Sequence, residues 1–216
     1  MIIVGAKGFA KELLQIVSID LGLPDDDIVF FDNVSTDLPF KIYDRFKILT
    51  SFEAVTTYLS KSEDKSFILG LGQPKLRKDL YQKFIELGAQ PVSVISKNAE
   101  VGNFDVNINK GVSILSGAKV SNSVEIGKGC LIYYNTIITH DCSIGDFVEV
   151  SPNVTILGRC RIGNHTSLGA SSVILPDVTL GSNVIVGAGS VVLNDVPDYS
   201  TIVGVPGRVI SKRDII

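Results

Sequence analysis

From Ile114 to Val192, every sixth residue is Ile, Leu or Val. The series runs Ile114, Val120, Ile126, Ile132, Ile138, Ile144, Val150, Ile156, Ile162, Leu168, Ile174, Leu180, Val186 and Val192. A period of six matches neither a helix, at about 3.6 residues per turn, nor the alternation of a lone strand. It predicts a parallel β-helix, in which each hexapeptide makes one side of a triangular coil. One branched aliphatic per side points inward and stacks on its equivalents above and below. A sandwich of short strands would instead show turn signals at irregular spacings of about 8–12 residues.

A second line runs two positions ahead of the first: Val112, Ala118, Val124, Cys130, Thr136, Cys142, Val148, Val154, Cys160, Thr166, Ser172, Val178, Val184 and Ser190. All are small or β-branched, as the corner of a narrow prism of extended backbone requires. Glycine often follows the aliphatic, as at Gly127, Gly145, Gly163, Gly169, Gly181 and Gly187. Three hexapeptides close a coil, so the repeat predicts roughly five coils.

Residues 1 to about 90 follow a different grammar. Met1–Val4 reads as a short strand, broken by Gly5-Ala6-Lys7-Gly8, and a helix follows with Phe9, Leu13, Ile16 and Val17 on one face. Ile28–Phe31 reads as a second strand and Ile48–Thr50 as a third. Ser51 or Thr50 is placed to cap a helix carrying Phe52, Val55 and Leu59. Phe67–Leu71 reads as a further strand, and Gly72-Gln73-Pro74 opens a helix with Leu76, Leu80, Phe84 and Leu87 on its face, ended by Gly88. Strands alternating with helices predict a small parallel α/β domain over residues 1–90, with the β-helix over 91–216.

Composition narrows the classes. A net charge of −3 over 216 residues gives no basic footprint for nucleic acid. No apolar run is long enough to predict a membrane span, and Met1–Val4 lacks the basic start and length of a signal peptide. All three cysteines fall on the inward small line, where they read as small hydrophobes rather than ligands or disulfide partners. A cytoplasmic protein is the expectation.

Three loops of the first half carry candidate chemistry. Gly5-Ala6-Lys7-Gly8-Phe9-Ala10 places glycines where backbone amides approach a phosphate at a helix N-terminus. It matches only part of the dinucleotide spacing, and a plain tight turn explains it about as well. Asp32, with Asn33 beside it, ends the second strand, where a carboxylate meets the ribose or base in nucleotide-binding α/β folds. Gly70-Leu71-Gly72-Gln73 ends a later strand. Loops at the carboxyl ends of strands form the ligand edge of such sheets, so the three together favour nucleotide binding, with Lys7 either facing a phosphate or merely solvated.

The second half holds both histidines. His140, in Thr139-His140-Asp141-Cys142, lies two residues beyond inward Ile138 and so at a corner or outward position. One coil further lies Gly158, and another coil on lies Pro176, a small-residue track beside which a long thin ligand could lie. Imidazole titrates near neutral pH and can take a proton from an attacking amine or hydroxyl, with Asp141 placed to orient it. A surface histidine fits the same pattern. His165 reads as a turn residue. Two histidines leave one chain short of the three zinc imidazoles of a β-helical carbonic anhydrase, although a trimer can pool ligands; no metal is expected.

Taken together, Ile3–Ala10, Phe31-Asp32-Asn33, His140–Val148 and Val203-Gly204-Val205-Pro206-Gly207 resemble the hexapeptide-repeat sugar O- and N-acetyltransferases of bacteria. Within that family the chain is similar to nucleotide-sugar 4-amino N-acetyltransferases of bacillosamine and perosamine type and to sialic acid O-acetyltransferases. The resemblance implies a Rossmann-like α/β domain followed by an all-β left-handed parallel β-helix. It implies a cytoplasmic homotrimer with acetyl-CoA lying between neighbouring β-helices and a nucleotide-linked amino sugar as acceptor. His140 would be the general base and Asp141 its carboxylate partner. Gly158 would serve the thioester carbonyl through its amide, and Ala170 and Ala188 would line the pantetheine groove. Gly5, Lys7, Gly8, Phe9, Asp32, Asn33, Gly72 and Tyr133 fall on the acceptor side. Glu149 stands on the cofactor side, where N-acetyltransferases of this type often carry a second histidine. Tyr133 stands where a relative carries Asn, and Phe9 replaces a polar residue. The leading expectation is acetyl transfer to the 4-amino group of a nucleotide-linked deoxysugar. O-acetylation of a sialic acid or another sugar hydroxyl is the nearest rival, and a non-catalytic nucleotide-sugar-binding scaffold is the rival from another class.

Overall fold

Every residue of the two six-residue lines is buried, none more than 3% exposed. In this computed structural model, which describes residues 1–212, they form one continuous core. The strands are two or three residues long and pair in parallel with the strand one coil away, as Ser113 with Leu131 and Leu131 with Glu149. They stack into three faces. The first runs from Val94–Ile95 to Ile185–Val186, the second from Glu100–Val101 to Val191–Val192, and the third from Val106–Ile108 to Thr179–Leu180. Each pair of faces meets at an edge where the chain takes a positive φ. Ser123, Asp141, Arg159 and Asp177 stack along the edge between the second and third faces, with φ of 54°, 59°, 63° and 67°. Asn and Asp tolerate this left-handed conformation better than most residues, which is why they recur at these corners. An antiparallel hairpin of Ser200–Val203 and Arg208–Lys212, turning through Gly204-Val205-Pro206-Gly207, extends the first face at its end.

The first domain is a six-stranded sheet with helices on it. Its elements are β1 (Ile2–Val4), α1 (Gly8–Gln15), β2 (Val29–Phe31), β3 (Lys41–Ile42), β4 (Phe46–Leu49), α2 (Phe52–Lys61), β5 (Ser66–Leu69), α3 (Pro74–Glu86) and β6 (Gln90–Pro91). The strand order is β3-β4-β2-β1-β5-β6, parallel except for β3 against β4. Ser51 caps α2 as read, its Oγ accepting from Ala54 N at 3.1 Å. Four features escaped the sequence: β3 and β6, whose two residues each carry no pattern, the 3-10 turn Asp25–Asp27, and the π-helical turn Ile16–Asp20 that prolongs α1.

The α3 face differs from the reading. Leu76 is 45% exposed, whereas Arg77 is 1% exposed and buries with Tyr81 and Phe84. The cause lies outside the helix. α3 docks on the β-helix, and Arg77 Nε and Nη2 donate to Gly129 O at 3.1 and 3.0 Å, with Nη2 also on Val148 O at 2.9 Å. Tyr81 lies edge-on to Phe147, ring centres 5.3 Å apart. Leu115 and Leu131 of the first face join the core of α1, β1 and β2. The Asp20 carboxylate accepts from Ser96 Oγ at 2.7 Å and from Lys97 N at 3.0 Å. The α/β domain therefore covers the first face of the prism, and only Val92 and Ser93 separate β6 from the first β-helix strand.

Candidate active site

His140 sits at the edge between the second and third faces, opposite the face that carries the α/β domain. Its side chain is 54% exposed, and Nδ1 lies 2.6 Å from Asp141 Oδ2. In the tautomer whose Nδ1–H donates to Asp141, Nε2 presents its lone pair. One coil on, the ring lies against Gly158. A Cβ there would come within 2.8 Å of Nε2 and 2.7 Å of Cε1, so only glycine leaves the imidazole its place. The ladder uses the amides of the residues on either side, Leu157 to Ile174 O and Arg159 to His140 O, leaving the Gly158 N–H outside it. His140, Asp141 and Gly158 are thus brought together.

The neighbouring thiols are differently placed. Cys130, Cys142 and Cys160 are free and buried in the core. Burial pushes the Cys130 thiol up to about 12, and a hydrogen bond shared with Cys142, together with burial, keeps Cys160 protonated. His165, at φ 60° on the edge between the third and first faces, is half-buried against Phe147, and burial followed by the charge of Lys78 lowers its pKa. Among the described residues, no group of three or more His, Cys, Asp or Glu is arranged to hold a metal ion.

The acceptor-side residues gather elsewhere. The loops after β1, β2 and β5 meet at one end of the sheet: Gly5 N donates to Phe31 O at 2.7 Å, Gly70 N donates to Val4 O at 2.7 Å, and a Cβ on Gly5 would strike Gly70 O at 2.5 Å. Gly8 opens α1, and nothing lies within 4 Å of where its Cβ would be. No side chain caps that helix. Lys7 is exposed and pairs with Asp37 at 2.8 Å, which raises its pKa. Asp32 spends its carboxylate on its own loop, Oδ1 accepting from Val34 N and Ser35 N and Oδ2 from Ser35 Oγ, while Asn33 is exposed beside it. Phe9 meets Tyr133 of the β-helix, ring centres 5.3 Å apart. Burial, then hydrogen bonding to Glu12, raises the Tyr133 pKa, with Glu149 adding to the shift.

Two groups of residues stand away from His140 within one chain. Ala170 and Ala188 stack on the edge between the first and second faces, where Gly189 N donates to Ala170 O at 2.8 Å. Glu149, expected with the cofactor residues, lies in a first-face strand, with Oε2 3.9 Å from Arg77 Nη1 and Oε1 3.3 Å from where a Cβ on Gly72 would stand. It lies nine positions on from His140. At six residues per side, that spacing carries it off the His140 edge and onto the face under the α/β domain. Sequence reasoning did not single out Arg77 or Glu12; only the fold shows the carbonyls and phenol they reach.

Comparison with known proteins agrees with this architecture. Residues 1–84 match the PglD N-terminal domain, and residues 123–158, 141–175 and 159–194 match the bacterial transferase hexapeptide. No curated protein matches the chain. Among solved structures, PerB from Caulobacter crescentus, in complex with CoA and GDP-perosamine, is 25% identical over 97% of this chain and 96% of that one, with a TM-score of 0.82. WeeI from Acinetobacter baumannii is 25% identical over 97% and 100%, with a TM-score of 0.75. The acetyltransferase domain of PglB from Neisseria gonorrhoeae, at 24% identity over 97% and 98%, shares the fold with a TM-score of 0.85. The chain is an enzyme of the hexapeptide-repeat acyltransferase kind. More particularly, it joins that repeat to a PglD-type N-terminal domain. Among the described residues, no helix is long and apolar enough to cross a membrane.

Proposed function

We propose that this enzyme transfers an acetyl group from acetyl-CoA to the 4-amino group of a nucleotide-linked amino-deoxysugar, with His140 as general base. The observation that carries the reading is the trio at one edge: Nδ1 of His140 on Asp141 at 2.6 Å, with Nε2 free above Gly158. The amine nitrogen attacks the thioester carbon, forming the C–N bond, and Nε2 takes a proton from it as the tetrahedral centre develops. The Gly158 N–H donates to the oxyanion, and one such donor is worth roughly 3 kcal/mol. Collapse breaks the C–S bond, and the imidazolium returns its proton to the departing sulfur. The thiols are buried in the β-helix core, where a thioester cannot reach them, so attack is direct, within a ternary complex. PerB, solved with CoA and GDP-perosamine, supports this choice of substrates.

The acceptor loops supply the rest. The uncapped N-terminus of α1 at Gly8 suits a diphosphate, which would draw Lys7 from Asp37. Carboxylates at Glu12 and Glu149 beside Tyr133 draw a protonated amine over a neutral hydroxyl, and the ammonium gives one proton to water before the neutral nitrogen attacks. His140 and these residues occupy different sides of one prism. A homotrimer resolves this, with the His140 edge of one copy meeting the Tyr133, Ala170 and Ala188 edge of the next and acetyl-CoA between them. Acetyl-CoA and nucleotide sugars are cytosolic pools, which places the reaction in the cytoplasm.

The test is thiol release from acetyl-CoA against UDP-, GDP- and dTDP-linked 4-amino sugars. Release with one of them supports the reaction and names the acceptor. Silence across the panel with acetyl-CoA still bound, read by calorimetry, moves the acceptor to a hydroxyl; no binding at all favours the scaffold.

A further inference from the structure

Among the described residues Arg77 is the largest fully buried side chain, 1% exposed, and the mechanism does not use it. A buried guanidinium persists only where acceptors converge on it. Here three hydrogen bonds reach Gly129 O and Val148 O, across the junction between α3 and the β-helix. Val148 O already accepts from Leu131 N, but Gly129 O lies at a corner of the prism, where the guanidinium supplies its donors. The remaining nitrogen, Nη1, is buried without a hydrogen-bond partner and faces Glu149 Oε2 at 3.9 Å.

Glu149 in turn lies under the loop that opens α3. Its Oε1 would sit 3.3 Å from a Cβ on Gly72, so carboxylate and loop backbone are in near contact. That loop is strained. Gln73, the residue before α3, has φ 52°, a left-handed conformation that a non-glycine residue holds only when its surroundings over-determine it. No side chain caps α3 at that point. The loop therefore owes its shape to docking rather than to its own preferences.

We propose that Arg77 is a positioning residue: acting through Glu149 and the two β-helix carbonyls, it holds Gly70–Gln73 in register with the face carrying Tyr133. This rests on the reading of that loop as part of the acceptor site. Arg77 touches no reacting atom; it sets where the acceptor lies relative to the β-helix, and leaves the acyl donor and His140 untouched. Lysine can replace it only in part, because one ammonium cannot span both carbonyls and the carboxylate.

The test uses the full-length protein with Arg77→Met, Arg77→Lys and Glu149→Gln. Amide exchange over the peptide 70–80 should quicken at least tenfold in Arg77→Met, with peptides of the second and third faces unchanged. The acceptor KM should rise about tenfold, with the acetyl-CoA KM within twofold and the pH profile of kcat unmoved. Arg77→Lys should recover part of the protection, and Glu149→Gln should loosen the same peptide less. Unchanged exchange over 70–80, or loosening spread across the whole α/β domain with equal KM shifts for both substrates, overturns the proposal. The exchange measurement needs no substrate, so it decides the point even where transfer to 4-amino sugars fails. Should Arg77→Met not fold, Glu149→Gln carries the same reading.

Discussion

Two edges of the same prism place a large side chain over a glycine and use it in opposite ways. Between the second and third faces, His140 lies against Gly158, half-exposed, paired with Asp141 and open to a second molecule. Between the third and first faces, the Phe147 ring lies over Gly129, and both are covered by α3, with Tyr81 on the ring and Arg77 on the Gly129 carbonyl. The repeat supplies the same corner at both places. What is laid over the corner decides whether it becomes wet and reactive or dry and adhesive. A β-helix can thus take a site or a domain at any corner without changing its core.

The difference can be broken by substitution. His140→Ala should lower kcat by roughly 10²- to 10⁴-fold, as loss of a general base does, with no change in Tm because the side chain is half-exposed and outside the core. A thermal melt alongside steady-state kinetics checks both halves. The same alanine placed at the two glycines should then separate the edges. At Gly158 the new methyl displaces the imidazole, and turnover should fall by about 10²-fold while the fold persists. At Gly129, where φ is +65° and the methyl meets the Phe147 ring, stability should drop by about 1–3 kcal/mol in denaturant titration, with the pH dependence of kcat retained. A Gly129→Ala protein as stable as wild type would remove the contrast.

The smallest effect is a pH dependence at the dry edge. His165 is held neutral by burial against Phe147, so its folded pKa lies below the ordinary 6.5. The unfolded chain then binds more protons below that value. The contribution of His165 is complete above about pH 6.5 and is lost as pH falls through 6.5 towards the depressed folded value. His165→Asn should flatten the decline in stability below pH 6.5, read by denaturant titration at a series of pH values. An unchanged slope would show that His165 is not the group responsible.

The same contrast explains what was legible in the sequence. Along the β-helix each buried residue packs on its own repeat, so the six-residue register alone named Ile114 to Val192 and the small line beside it as core. The corner position of His140 and its stacking over Gly158 followed from the same count. At the junction each buried group packs on a surface formed by distant sequence. Leu76 therefore read as core and is exposed, while Arg77, which no pattern singled out, is buried. Glu149 was assigned by likeness to the cofactor side; that within one chain it lies under the Gly72 loop was not legible, because nothing local says which face a docked domain will cover. The loops after β1, β2 and β5 were found from glycines at strand ends, but not that Asp32 turns its carboxylate onto Val34 and Ser35, or that Lys7 pairs with Asp37.

The central claim is that the site is built from two copies, the base from one and the acceptor side from the next. Subunit mixing tests it most directly. His140→Ala lacks the base, and Gly72→Leu drives a side chain into Glu149 on the acceptor side. Each homotrimer alone should release almost no CoA from acetyl-CoA. Co-refolded in equal amounts, half of the acceptor sides and half of the bases are intact, and random pairing across the interface should restore roughly a quarter of wild-type turnover. No recovery from trimers shown to have mixed would mean that base and acceptor side belong to one chain, and would contradict the account.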